Sequence, residues 1–207
     1  MSQNQIKWLA TILMFVNHVG ILIEVEPLII IGRLSFPLFA WVFAQNWQRQ
    51  GEKESLINRL LLFGIISQIP YILLFNKSQV NIMFSFAAVA IAFQYIHKFD
   101  RKISILTISL ISVQILKIDY GWYAIACSVM MVGFKNNRLW WIGWTATNII
   151  YTITTGCWYQ IFATLAPLIL THHNPKCDRK PNAIEKKFFY YFYPIHMIGL
   201  AALRAII

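Results

Sequence analysis

Nine apolar stretches, separated by short polar or charged segments, make up almost the whole chain: Ile6–Ile23, Leu28–Trp47, Leu60–Phe75, Ile82–His97, Ile103–Leu116, Tyr120–Phe134, Leu139–Thr154, Trp158–Leu170 and Phe188–Ile207. Their lengths approach the roughly 20 residues of a membrane-crossing helix. The pattern predicts an all-α polytopic membrane protein with about nine transmembrane helices. Several stretches are shorter than a full span, so they are expected to tilt or to be extended by their polar flanks.

Composition agrees with this pattern. Of the 207 residues, 58% are hydrophobic and only 13% are charged, which is too apolar for an ordinary soluble domain. The formal net charge is +10, and its distribution predicts orientation. With the N-terminus in the cytoplasm, the inner segments carry Lys7, Arg49, Lys53, Arg59, Lys98, Arg101, Lys102, Lys135, Arg138, Lys176, Arg179, Lys180, Lys186 and Lys187. The outer segments hold Lys77, Lys117 and Arg204, and nine crossings leave the C-terminus outside. Orientation in a bilayer with anionic headgroups accounts for the positive charge. A nucleic-acid partner is not expected, because the chain lacks a basic, aromatic-studded binding surface.

The start, MSQNQIKW, lacks the basic beginning and small-residue cleavage site of a removable signal, so the first helix is expected to stay as a signal-anchor in the cell (inner) membrane. Cys127, Cys157 and Cys177 are odd in number and suggest no disulfide framework. The only long polar connection is Thr171–Lys187, so residues 1–207 read as one domain.

Arg33 is the most informative residue. It sits inside the apolar run Leu28–Trp47, where a charged side chain costs about 2.5–3.5 kcal/mol on insertion scales and therefore marks an inward-facing functional group. In the preceding helix, Lys7, Thr11 and His18 fall near one face, a polar stripe rising roughly 16 Å from the cytoplasmic boundary. The turn Glu24-Val25-Glu26-Pro27 between the two helices is short, so His18 and Arg33 must be neighbours. Asn81 opens the fourth helix and Asp119 the sixth, both at the outer boundary. These residues predict an outer-half cluster of Asn17, His18, Arg33, Asn81 and Asp119.

Imidazole changes protonation near neutral pH, so His18 suits a general base, and Asp119 suits either its orientation or the neutralisation of Arg33. The structural alternatives are an interhelical hydrogen bond for His18 and an ion pair of Arg33 with Asp119 or Glu26. His196 follows Pro194 in the last helix, at a kink that suits ligand approach or as part of an interfacial aromatic belt. Gln68, beside Pro70, lines the interior or only accompanies a bend. Ala40 with Ala44, and Ala88 with Ala92, have the spacing of close helix packing. His97 beside Lys98 reads as interfacial. His172, His173 and Cys177 lack the spacing of a zinc motif and read as a solvated loop, so no metal is expected. On polarity alone, a small proton- or anion-coupled transporter remains an alternative.

Taken in order, Lys7-Trp8, Asn17-His18-Val19-Gly20 and Gly32-Arg33-Leu34-Ser35-Phe36-Pro37-Leu38-Phe39-Ala40 resemble the opening of the TraX family of integral-membrane pilin acetylases. Arg59-Leu60-Leu61-Leu62-Phe63, Ser67-Gln68-Ile69-Pro70-Tyr71 and Asn81 before Phe84 are similar to its third and fourth helices. Asp119-Tyr120-Gly121 resembles its acidic turn, and Phe189-Tyr190-Tyr191-Phe192-Tyr193-Pro194-Ile195-His196 its last helix. Asn17 departs from the pattern, which often has aspartate before the histidine, and this shifts the orienting role towards Asp119. The resemblance implies an acetyltransferase that uses acetyl-CoA as co-substrate. It implies His18, Arg33 and Asp119 as catalytic residues, and Lys7, Asn17, Asn81, Gln68 and His196 as binding residues. The implied acceptor is a small membrane protein such as pilin, or a surface glycan. A non-catalytic pilus assembly factor is the alternative within the same resemblance.

Overall fold

The computed structural model describes residues 1–49, 53–98 and 102–206, with side chains at all of these except 97, 98 and 102. Arg101 and the side chains of Lys98 and Lys102, which entered the orientation argument, lie outside the described residues, as does the side chain of His97. Every regular element among the described residues is helical, apart from an isolated bridge between Val80 and Ile118. The elements are α1 (Gln3–Leu22), α2 (Glu26–Gly32), α3 (Ser35–Gln48), α4 (Lys53–Phe75), α5 (Ile82–Lys98), α6 (Lys102–Ile115), α7 (Trp122–Val132) and α8 (Arg138–Thr155). A 3-10 segment (Trp158–Leu165), α9 (Ala166–Leu170), a 3-10 turn (Pro175–Cys177) and α10 (Ala183–Arg204) complete the chain.

Local chemistry sets the helix ends. Ser2 and Gln5 form a reciprocal capping box at the start of α1. The Asn137 side chain accepts from the Trp140 amide at 2.9 Å to start α8, and Gly156, at φ 70°, ends it in the left-handed conformation that glycine adopts without strain.

Two expectations of continuous helices are corrected. The apolar run Leu28–Trp47 is not one regular helix, because α2 ends and α3 begins around Arg33-Leu34. Pro37 explains the break: it has no N–H to give the carbonyl of Arg33, four residues earlier, and its ring crowds that carbonyl. The stretch Trp158–Leu170 runs first as a 3-10 segment and turns α-helical only at Ala166, with Pro167 in the first turn of α9. Three helical stretches, Gln3–Leu22, Glu26–Gln48 and Lys53–Phe75, are long and apolar enough to cross a membrane.

Helix α4 turns an apolar stripe outward. On α4, Ile65, Ile69 and Leu73 recur every four residues and are 65%, 70% and 63% exposed, whereas Ser67 on another face is fully buried. An outward aliphatic stripe of this kind suits lipid as the surrounding medium.

The described residues form two compact units, each assembled from separate pieces of chain. The first comprises Met1–Gln45 and Val129–Phe189, and the second Asn46–Ser128 and Tyr190–Ile207. In the first, Ala40 and Ala44 of α3 are fully buried. Trp144 of α8 is also buried, stacks on Trp140 at 5.8 Å and donates its indole N–H to the Thr164 carbonyl at 3.2 Å. In the second, Gly64 of α4 packs against the Phe84 ring of α5, and a Cβ there would lie 2.9 Å from the ring.

Candidate functional site

In the first unit the candidate chemistry is organised by the crossing of α1 and α2. A Cβ added to Gly32 would lie 2.3 Å from Cβ and 2.6 Å from Cα of Asn17, and one on Gly20 would lie 2.7 Å from Leu28 Cβ. Only glycine fits at these points. The buried Asn17 side chain closes the crossing by donating from Nδ2 to the Ile29 carbonyl at 3.0 Å. His18 and Arg33 are the immediate chain neighbours of Asn17 and Gly32, so their Cα atoms lie within about 12 Å of each other by chain geometry alone. Both are half-buried, and Arg33 sits at the α2–α3 break rather than in the middle of a regular helix. On the cytoplasmic side of the expected topology, Thr11 is buried and donates to the Lys7 carbonyl at 2.9 Å. The Lys7 ammonium lies over the Phe189 ring, 3.9 Å from its centroid.

The remaining predicted residues belong to the second unit. Asn81 is fully buried, and its Nδ2 donates to the Gly64 carbonyl at 2.7 Å and to Gln68 Oε1 at 2.9 Å. Its Oδ1 accepts from the Met83 amide at 3.0 Å, which starts α5. Gln68 Oε1 also accepts from the Asn81 amide at 3.0 Å, while its Nε2 donates to the Gln79 carbonyl at 2.9 Å. Gln68 and Asn81 therefore form a clamp between α4 and the start of α5. The clamp engages both Nδ2 hydrogens of Asn81 in holding the fold.

Asp119 is held by its backbone. Its amide donates to the Val80 carbonyl at 2.8 Å, its carbonyl accepts from the Ser85 hydroxyl at 2.7 Å, and its carboxylate accepts from the Tyr120 amide at 3.0 Å. The flanking Lys117, Tyr120 and Gly121 have positive φ of 49°, 61° and 49°. Such conformations are costly for non-glycine residues and persist where surrounding contacts over-determine them. Farther along, the buried His196 donates from Nδ1 to the Phe192 carbonyl at 2.7 Å and stacks on the Phe192 ring at 4.8 Å. In the neutral ring this makes Nε2 the acceptor nitrogen.

Sequence reasoning missed one polar assembly in the first unit. The connection Thr171–Lys187, expected to be a solvated loop, is folded onto the start of α1. Asp178 accepts from the Gln3 amide at 2.6 Å and lies 3.2 Å from His173 Nε2, while the His173 ring meets Trp41 edge-on at 4.7 Å. Glu185 forms a reciprocal cap with Asn182, accepts from Asn4 at 3.4 Å and pairs with both terminal nitrogens of Arg179. Asn182 three residues before Glu185 is a capping-box spacing that could have revealed the local half of this clasp.

Arg179 and these amide donors hold the Glu185 carboxyl down from its ordinary 4.5 to about 2. A depressed carboxylate stabilises the fold above its unfolded value, and that contribution disappears as pH falls from 4.5 towards 2. The protection of residues 171–187 against hydrogen exchange, taken relative to intrinsic exchange at each pH, is expected to fall across that window in the native chain, and to lack this transition in Glu185→Gln. An unchanged profile in Glu185→Gln would show that the clasp does not govern the segment.

Comparison with known proteins places these sites in a wider context. A family model described as TraX protein matches residues 2–204. Protein TraX of Escherichia coli is 38% identical over 89 residues, an alignment covering 41% of this chain and 36% of that protein. The chain thus spans about a third of that relative's length. Probable fimbrial assembly protein FimC, serogroup H1, of Dichelobacter nodosus is 23% identical over 242 aligned positions, covering 98% of this chain and 96% of that protein. No solved structure matches the chain.

Proposed function

The chain belongs to the TraX family, and from that premise we propose that it is a multi-pass inner-membrane acetyltransferase. It moves acetyl from cytoplasmic acetyl-CoA to an amine or hydroxyl on the outer side, with a pilin N-terminus as the leading acceptor and a surface glycan as the other class. The topology in this reading is the nine-helix one, with the N-terminus cytoplasmic and the C-terminus outside. Support comes from the family match and, in the structure, from the glycine-dependent α1–α2 crossing that keeps His18 close to Arg33.

In this reaction His18 takes the proton from the acceptor N–H or O–H as its lone pair attacks the thioester carbonyl. Arg33 stabilises the oxyanion of the tetrahedral intermediate. Its collapse breaks the carbon–sulfur bond, leaves acetyl on the acceptor and returns the proton to the CoA thiolate. A covalent acetyl-His18 route has the same overall balance. Asn81 is assigned to positioning rather than to the oxyanion, since its Nδ2 hydrogens hold α4 to α5. Asp119 enters from the family resemblance as a catalytic carboxylate and His196 as a binding residue.

The test is transfer of label from [acetyl-labelled] acetyl-CoA to pilin-containing membranes by purified protein. Label on an acceptor that depends on the protein is the expected result, and the labelled species identifies the acceptor class. A protein that binds acetyl-CoA and pilin yet transfers nothing would refute the enzyme reading. The full-length similarity to a probable fimbrial assembly protein favours a non-catalytic assembly factor as the second reading. That reading predicts pilin binding indifferent to acetyl-CoA.

A further inference from the structure

The clasp between α1 and the 171–187 connection has a chemical consequence at its surface. The connection contains Lys176, Arg179, Lys180, Lys186 and Lys187 against only Asp178 and Glu185. Both carboxylates are engaged within the clasp, Asp178 by the Gln3 amide and His173, and Glu185 by Arg179, Asn4 and Asn182. Lys176, Lys180, Lys186 and Lys187 are exposed on a segment whose backbone is already fixed. Their positive charge is therefore concentrated without the entropy cost of ordering a loose loop.

An aromatic cluster in the same unit follows directly in the chain from Lys186-Lys187. Trp8 of α1 packs against Phe188 and Phe189 of α10, with ring centroids 4.7 Å and 4.8 Å apart, and Lys7 caps the Phe189 ring. Phe188, directly after Lys187, is 37% exposed. A cluster of tilted aromatic rings beside a cationic rim suits a purine base carrying several phosphates.

We propose that Lys180, Lys186 and Lys187, with Lys7, Trp8 and Phe188, form the seat for the nucleotide end of the acyl donor: the lysines take its phosphates and the aromatic edge takes its base. This inference rests on the acetyl-transfer reading for the identity of the donor. It places the phosphates at the end of α1 opposite His18, so the thioester-bearing arm must cover the roughly 16 Å rise between Lys7 and His18. The shared chemistry of the seat is a phosphate ester, and an anionic lipid headgroup is the other source of that chemistry.

The experiment measures binding of CoA, and of CoA lacking its 3′-phosphate, to full-length protein in nanodiscs of neutral lipid. It compares the native chain with a triple variant carrying Lys180→Gln, Lys186→Gln and Lys187→Gln, and with the corresponding triple Lys→Arg variant. The Gln variant is expected to bind CoA about tenfold more weakly or worse, to lose the salt sensitivity of binding and to discriminate less against the 3′-dephosphorylated form. Its KM for acetyl-CoA rises while kcat at saturation stays unchanged, and the Arg variant keeps native affinity.

Native CoA affinity in the Gln variant would overturn the seat, as would failure of the native chain to bind CoA. If the Gln substitutions change only the enrichment of phosphatidylglycerol around the protein in mixed-lipid nanodiscs, the ligand is a lipid headgroup and the nucleotide assignment is overturned. The two readings fail separately: CoA binding that depends on the lysines but with no acetyl transfer refutes the enzyme and keeps the seat. Acetyl transfer with native KM in the Gln variant does the reverse.

Discussion

His18→Ala is expected to lower acetyl transfer by about 10²–10⁴-fold, the range a positioned general base contributes. Its membrane insertion and CoA affinity should stay native, since the residue lies at the other end of α1 from the proposed nucleotide seat. The half-buried position of His18, next to an asparagine fixed by hydrogen bonding, gives the ring a defined origin without sealing it in the protein. Arg33→Ala should lose about 10²–10³-fold, as when one oxyanion donor is removed. The two effects should not add in the double variant if both residues serve one transition state. The measurement is initial-rate transfer of labelled acetyl at saturating acetyl-CoA, normalised to inserted protein. Full activity in either single variant would remove that residue from the mechanism.

The largest structural effect is expected from Gly32→Ala. The added methyl would meet Asn17 Cβ at 2.3 Å and Cα at 2.6 Å, so a rotamer change cannot relieve the clash and α1 must separate from α2. Overpacking of this kind costs about 1–3 kcal/mol. It should lower the thermal midpoint in detergent and, by moving His18 away from Arg33, reduce transfer more than it reduces stability. Gly199→Ala is the control: nothing lies within 4 Å of its added Cβ, so stability should change by no more than about 0.5 kcal/mol. Equal stability of the two variants would refute the close crossing.

The helices were legible because apolar stretches punctuated by charge have few solutions in a membrane. Residues that pack across short connections were legible too. His18 and Arg33 read as neighbours because only a short turn separates their helices, and the structure brings Asn17 onto Gly32. Interruptions within apolar runs were less visible. Leu28–Trp47 looks continuous by hydropathy, and only Pro37, counted back four residues, reveals the break at Arg33. Asn81 shows a different limit: its type and position mark it as a buried polar group, yet only its hydrogen bonds to Gly64 and Gln68 reveal that its donors are occupied. The clasp was least legible, because the partners of Asp178 and Glu185 on α1 lie 175 and 181 positions away. Charge counting assigned that segment to a side of the membrane and could not fold it.

Those separations also govern the order of synthesis. Residues 1–45 of the first unit are made before residues 129–189 that complete it, with a long part of the second unit emerging in between. Helix α1 meets α2 at once, but Gln3 and Asn4 wait for Asp178 and Glu185 until most of the chain has been translated. During that interval the amino-terminal turn stands in the nascent protein without its final partners, exposed to whatever else occupies the insertion site. Biogenesis of this fold therefore depends on keeping α1 uncommitted until residues 171–187 arrive.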